Sequence, residues 1–110
     1  MVARAFFDEM RTLAFGSISA AYASVGTAST TVIRGFSISN NTQGDMIFSD
    51  DTGAAGGKWF LKAGGFKLWD VQSNINPQFD DKFVMPIGTQ FSVKQVTAPV
   101  SGAVYIEILY

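Results

Sequence analysis

Short hydrophobic runs alternate with clusters of turn-forming residues from Leu13 to the end of the chain. In the run TTVIRGFSISN, Phe36, Ile38 and Asn40 alternate with serines, which is typical of a strand with one buried face. Clusters rich in Gly, Pro, Asn and Asp recur roughly every eight to twelve residues. This spacing predicts an all-β domain of about eight short antiparallel strands, a β-sandwich with a jelly roll among the candidate topologies.

The C-terminal run AVYIEILY has a clear alternation of its own. One face of the predicted strand holds Val104, Ile106, Ile108 and Tyr110. We predict that Val104, Ile106 and Ile108 pack in the core of the sandwich. The opposite face holds Tyr105 and Leu109 on either side of Glu107, and it is a candidate contact surface.

The stretch KWFLKAGGFKLWD predicts two strands that meet at residues 64–65. A Gly-Gly pair accommodates the positive φ of a tight turn, so the sequence predicts a β-hairpin at this point. In the second of these strands, Trp69 falls on the face opposite Phe66 and Leu68. We predict that Trp69 lies on the less buried face of its strand.

Residues 1–12 show the spacing of a helix, because apolar residues recur at i, i+3, i+4 and i+7. These residues are Ala3, Phe6, Phe7 and Met10. Two interpretations stay open: a short helical turn that covers the domain, or an N-terminal arm that packs on a neighbouring subunit. In either case we expect residues 1–12 to precede a single β-sandwich domain at residues 13–110.

The composition restricts the class of function. The chain has 110 residues, enough for one domain, and no cysteine, so it can form neither a disulfide framework nor a thiolate metal site. Its net charge is -1 and its basic residues are scattered, whereas nucleic-acid binding needs a cluster or stripe of them. No run reaches the roughly 18 to 20 apolar residues of a membrane helix. We therefore expect neither a nucleic acid nor a membrane as partner.

The balance of charged and apolar residues favours a protein that is covered by partners. Charged residues make up 15% of the chain and hydrophobic residues 47%. An average domain contains roughly 25% charged residues. A surface with so few charges fits a subunit that is partly buried in an assembly.

The side chains on which most enzymes rely are missing. The chain has no histidine and no cysteine, which excludes the usual pairs of nucleophile and base. Acidic pairs occur at 8–9, 50–51 and 80–81, but a glycosidase needs two carboxylates that face each other across a cleft. The stretch SDDTG at 49–53 offers oxygen ligands of the kind that calcium prefers, without the spacing of an EF-hand. We predict a non-enzymatic protein with no cofactor and no metal site.

Trp59 and Trp69 raise one alternative function, a carbohydrate-binding module. Exposed tryptophans on a β-sandwich can stack on sugar rings, and Asp50, Asp51 and Asn74 could assist them. The competing interpretation places both tryptophans in the core or at a subunit interface, where Trp and Tyr are enriched.

Four segments, taken in order, resemble small structural proteins of tailed bacteriophages. The segments are RTLAFGSISAAYASVG, RGFSISNNTQGDMIFSDD, FLKAGGFKLWDVQSN and MPIGTQFSVKQVTAPVSGAVYIEILY. The resemblance implies a virion component, either a head decoration or cement protein or a collar, ring or adaptor subunit of the neck or tail. It also implies assembly in the cytoplasm of the bacterial host, and it carries over no catalytic residue.

We predict the contact surface from large apolar residues that are terminal or lie on the weaker face of their strand. These residues are Phe6, Phe7, Trp69, Tyr105, Leu109 and Tyr110. Permanent interfaces are more apolar than transient ones, and symmetric self-association is the usual way to cover such faces. We expect other virion proteins as partners, and further copies of this chain in a homo-oligomer.

Overall fold

A computed structural model describes residues 7–51, 56–70 and 85–110. Within these residues the chain forms eight β-strands and one short 3-10 helix, Phe15–Ser17. The strands are β1 (Arg11–Ala14), β2 (Ala23–Ser24), β3 (Gly35–Thr42), β4 (Met46–Ser49), β5 (Trp59–Leu61), β6 (Phe66–Asp70), β7 (Ser92–Gln95) and β8 (Gly102–Leu109). The predicted all-β class is therefore confirmed. No helix in the described ranges has the length and apolar character that crossing a bilayer requires.

The described strands form two antiparallel four-stranded sheets. Sheet A has the order β1-β8-β3-β6, and sheet B has the order β2-β7-β4-β5. Each of the first four strands pairs with its counterpart in the last four: β4 with β5, β3 with β6, β2 with β7 and β1 with β8. The fold is therefore one long hairpin, rolled up so that its successive segments alternate between two sheets. This is the jelly-roll order, and the sheets do not close into a barrel.

The alternation read from the sequence sets which side chains enter the space between the sheets. In β3, Phe36 and Ile38 are buried, and they pair with the buried Ile108 and Ile106 of β8. The predicted core face of β8 is thus confirmed, because Val104, Ile106 and Ile108 are all inaccessible to solvent. A shift of one residue in the register would move these side chains to the outside, so the pattern also fixes the pairing.

Phe36 is the centre of an aromatic cluster that joins the two sheets. Its ring centroid lies 5.2 Å from that of Trp59, 5.6 Å from that of Trp69 and 5.1 Å from that of Phe91. These distances fall within the roughly 4.5–7 Å at which aromatic pairs attract each other. The cluster belongs to a described core of buried apolar residues: Ile18, Val25, Ile33, Phe36, Ile38, Met46, Phe48, Leu61, Met85, Phe91, Val93, Val104, Ile106 and Ile108.

The turn at residues 64–65 differs from its prediction. Gly64 does have a positive φ, of 78°, as expected for a tight turn. The flanking strands do not pair with each other, because β5 lies in sheet B and β6 lies in sheet A. The predicted hairpin is therefore wrong, and the turn instead carries the chain from one sheet to the other. A hairpin turn and a turn that connects two sheets both need a residue with positive φ, so the Gly-Gly pair does not distinguish them.

The described part of the segment predicted as an arm runs along sheet A in an extended form. Phe7 forms an isolated antiparallel bridge with Leu109, and β1 begins at Arg11. The Arg11 side chain is buried and donates hydrogen bonds to the carbonyl oxygens of Thr27 (2.8 Å) and Glu9 (3.0 Å). It also forms a salt bridge with Asp8. Residues 7–12 thus follow the sheet, without a helical turn.

Candidate protein-interaction surface

The outer face of sheet A carries several large apolar side chains. Phe7, Phe66 and Leu68 are 77%, 75% and 67% exposed, and Tyr105 and Leu109 beside them are half-buried. We call these five residues the outer patch. Exposed large apolar side chains that share one face of a sheet are typical of an interaction surface, whereas isolated ones need no explanation.

The register explains why Phe66 and Leu68 face outward. In β6, Lys67 and Trp69 lie opposite the buried Ile38 and Phe36 of β3. Directly opposed residues of antiparallel strands point to the same face, so Trp69 points inward. Its neighbours along the strand must then point out to solvent.

On the outer face of sheet A, the side chains of the central strand are shorter than those of the strands on either side. The central strand β3 carries serines at its outward positions, while β6 and β8 carry larger side chains there. The two rows across the sheet are Leu68–Ser37–Glu107 and Phe66–Ser39–Tyr105. The serines form the floor of a shallow groove between β6 and β8, into which a partner's side chains could pack.

At one end the groove deepens where Gly35 replaces a side chain. Gly35 lies next to Leu109 in the register, and a depression of about 240 Å³ lies over this region. Phe7, Leu68 and Leu109 are among the apolar residues that line it, together with Ser37 and Glu107. A depression of this size can hold an apolar side chain of a partner.

Glu107 is the charged group at the middle of the outer face. It is exposed, and Ser37 on the neighbouring strand donates a hydrogen bond to its carboxylate (3.4 Å). A carboxylate surrounded by apolar side chains gives the surface a polar anchor for a partner's donor group. Such a combination of apolar area with one polar contact is common at protein interfaces.

The structure places the predicted contact residues as follows. Tyr105 and Leu109 lie on the outer face, as the alternation of β8 predicts. Phe7 lies beside Leu109 through the bridge between them. Tyr110 is half-buried, and its carbonyl oxygen accepts a hydrogen bond from the Arg34 side chain (3.0 Å). Phe6 lies outside the described residues.

The prediction that Trp69 lies on the less buried face of its strand is wrong. Its ring is half-buried and stacks on Phe36 with an interplanar angle of 25°, while Phe66 and Leu68 are exposed. The alternation separated the two sets correctly, but the set of Trp69 contains the charged Lys67 and the other set contains Phe66 and Leu68, so the alternation predicted the wrong side as buried. Register with the buried side of β3 decides it. Phe66 and Leu68 are thus the surface residues that the sequence argument missed.

The same geometry bears on the carbohydrate-binding alternative. Trp59 and Trp69 are both half-buried and both pack against Phe36, so they do not form an exposed platform for a sugar ring. Asp50 forms a salt bridge with Lys58 (3.2 Å). Asn74, the third polar residue of that hypothesis, lies outside the described residues.

Three further aspartates in the described ranges bind neighbouring groups of the fold. Asp8 binds Arg11, and the carboxylate of Asp45 accepts a hydrogen bond from the amide of Ala63 (3.0 Å). Asp51 accepts a hydrogen bond from the Ser49 hydroxyl. Within the described residues, no three His, Cys, Asp or Glu side chains are grouped closely enough to hold a metal ion.

Comparison of the chain with protein-family models, with curated proteins and with solved structures finds no match. The outer face of sheet A, with its exposed apolar side chains, is the feature of the described structure that indicates a function. That face offers apolar area, a groove and one carboxylate, which are the components of a binding surface for another protein.

Proposed function

We propose that this protein is a non-enzymatic structural subunit of a tailed-phage virion that binds other virion proteins through the outer face of sheet A. The observation that carries the proposal is the outer patch, in which Phe7, Phe66 and Leu68 are largely exposed on a single face. In a protein of 110 residues, these side chains are an aggregation risk unless a partner covers them.

The virion is the setting that the sequence resemblance supports. The resemblance implies a compact β-rich protein built into the virion, and a jelly roll with an apolar outer face suits contact with neighbouring virion proteins. Both a head decoration or cement protein and a neck or tail collar-adaptor subunit fit this description. The carbohydrate-binding alternative gains no support from the positions of Trp59 and Trp69, which pack on Phe36.

The first prediction concerns Phe7, the most exposed large apolar side chain of the outer patch. We expect Phe7→Ser to reduce incorporation of the protein into particles about tenfold, as expected when an apolar contact worth about 1.4 kcal/mol is lost. Epitope-tagged wild-type and variant proteins are produced during infection by the phage that encodes the chain. Particles are then purified on a density gradient, and the bound copies are quantified by mass spectrometry.

Val100→Ser is the matched control, because Val100 is 72% exposed but lies outside the outer patch, between β7 and β8. We expect this variant to be incorporated like the wild type. Equal incorporation of the two variants would contradict the proposed surface. Absence of the wild-type protein from purified particles would contradict the virion assignment itself.

A further inference from the structure

The edge of sheet A at β6 differs from the other sheet edges of the described structure. The sheet orders put β1, β2, β5 and β6 at the edges. β6 is the longest of these at five residues, whereas β1 has four, β5 three and β2 two. Edge strands of monomeric proteins are usually protected by charges, proline or bulges. β6 has one charge near its centre, Lys67 on the inward face, and its outer face presents the exposed Phe66 and Leu68 beside an edge that is unpaired within the described residues.

The pairing between β3 and β6 shows which backbone groups of β6 point away from the sheet. The Asn40 amide donates a hydrogen bond to the Gly65 carbonyl oxygen (2.8 Å). Hydrogen-bonded and non-hydrogen-bonded pairs alternate along an antiparallel ladder. In this register the backbone groups of Lys67 and Trp69 form hydrogen bonds with β3. The N–H and C=O groups of Phe66 and Leu68 point away from β3, in the plane of the sheet.

We propose that β6 pairs in an antiparallel manner with β6 of a second copy of this chain, about a two-fold axis at Leu68. Each Leu68 would exchange two backbone hydrogen bonds with the Leu68 of the second copy. The two A sheets would then form one continuous eight-stranded sheet, with the outer patches of both copies on the same side. The inference deepens the proposed function, on which it rests, by naming a second copy of the chain as one partner.

The charges of β6 select this register. Two symmetric antiparallel registers keep both Phe66 and Leu68 within the paired segment, one centred on Lys67 and one on Leu68. The first places the two Lys67 side chains opposite each other at about 4.5 Å between Cα atoms, where like charges repel. The second places Lys67 opposite the Trp69 of the second copy, which allows a cation–π contact. It also brings the two exposed Leu68 side chains together.

The absence of cysteine from the chain provides a direct test. In the proposed register the two Leu68 Cα atoms are about 5.5 Å apart, within the range that a disulfide can bridge. The two Phe66 Cα atoms are displaced by four residues along the strands, or roughly 14 Å. We therefore expect Leu68→Cys to form a disulfide-linked dimer under mild oxidation, and Phe66→Cys, which is equally exposed, to stay monomeric on a non-reducing gel.

Lys67→Cys distinguishes the alternative register, because only a two-fold axis at Lys67 brings these residues into contact. Cross-linking of that variant, or equal cross-linking at positions 66 and 68, would overturn the proposed axis. Circular dichroism of each reduced variant verifies that the fold is kept.

Light scattering on the untagged wild-type protein gives the second readout. We expect a particle of twice the 11.8 kDa chain mass, and loss of the dimer in Leu68→Lys, which puts two like charges at the axis. A wild-type monomer, a trimer or a ring would overturn the inference. Incorporation into phage particles is measured separately, so a monomer that still enters particles refutes the dimer alone. A dimer that is absent from particles refutes the virion assignment alone.

Discussion

Asn40 shows how one polar side chain can connect two sheets. It is fully buried on the inward face of β3, and its amide nitrogen donates to the carbonyl oxygens of Gly44 (2.9 Å) and Leu61 (3.2 Å). Its side-chain oxygen accepts a hydrogen bond from the Thr42 hydroxyl (2.7 Å). The side chain therefore satisfies backbone groups of both connections by which the chain leaves and re-enters sheet A. A buried amide is stable in a core only when its groups are paired in this way.

The second prediction follows from this network. Asn40→Ala removes the side-chain donor to the Leu61 carbonyl oxygen and the side-chain acceptor of the Thr42 amide (3.2 Å), and each buried polar group left unpaired costs about 1–3 kcal/mol. We expect the free energy of unfolding to fall by about 3 kcal/mol or more in total. Urea titration followed by circular dichroism measures the change. Asn41→Ala is the control, because Asn41 is the next residue and is exposed, and a loss as large as that of Asn40→Ala would contradict the role of the network.

At the scale of elements, the connection between β7 and β8 depends on a glycine for two separate reasons. Gly102 begins β8 with a φ of 89°, in the region that disfavours other residues. A Cβ atom at this position would also overlap the backbone carbonyl oxygen of Asn41 on β3. Gly88 has the same φ of 89°, but a Cβ atom there would meet no atom within 4 Å. A comparison of the two positions therefore separates the energetic cost of positive φ from the cost of the steric overlap with Asn41.

The third prediction compares alanine at these two positions. Gly88→Ala should lower the free energy of unfolding by about 1–2 kcal/mol, the cost of positive φ in an L-residue. Gly102→Ala should cost about 2 kcal/mol more, because β3 and β8 must also move apart at the centre of sheet A. The midpoint of thermal unfolding measures both. Equal losses would show that the contact with Asn41 relaxes without a penalty.

Much of the element structure could be predicted from the sequence. The alternation in β3 and β8 correctly predicted which residues are buried, because in each strand one face is mainly apolar and the other contains serine or glutamate. The same method was wrong for β6, where the inward face carries the charged Lys67 beside Trp69 and the outward face carries the apolar Phe66 and Leu68. The hairpin at residues 64–65 was wrong for a related reason. The sheet to which a strand belongs is decided by distant pairing, such as that of Phe36 with Trp69, and not by the turn itself.

At the scale of the whole molecule, the two halves of the chain depend on each other. Every strand pair of the two sheets, as far as the described residues extend, joins one of β1–β4 to one of β5–β8. The Thr12 hydroxyl, for example, donates a hydrogen bond to the carbonyl oxygen of Val104, 92 residues away. Neither half can therefore form a sheet by itself, and contacts of such long range make folding slow compared with helical proteins.

The fourth prediction tests this dependence with two fragments, residues 1–56 and 57–110. We expect each fragment alone to give the circular dichroism spectrum of an unfolded chain. Mixing them at equal concentration should restore a β-sheet spectrum, because all pairs that join the halves can then form. The cut falls between β4 and β5, so it removes no strand. A sheet spectrum from either fragment alone would contradict the rolled-hairpin account of the fold.

The rolled hairpin also sets the order of events during synthesis. β5 begins at Trp59, so four strands are complete before the first of their partners has been made. At about 5–20 residues per second, the first 58 residues take roughly 3 to 12 seconds to synthesise, and no described strand pair can form in that time. The interval between synthesis of a strand and synthesis of its partner is longest for β1, because its partner β8 begins at Gly102. Sheet A therefore stays incomplete until β8 has been made, and the apolar faces of β1 and β3 lack this partner strand until then.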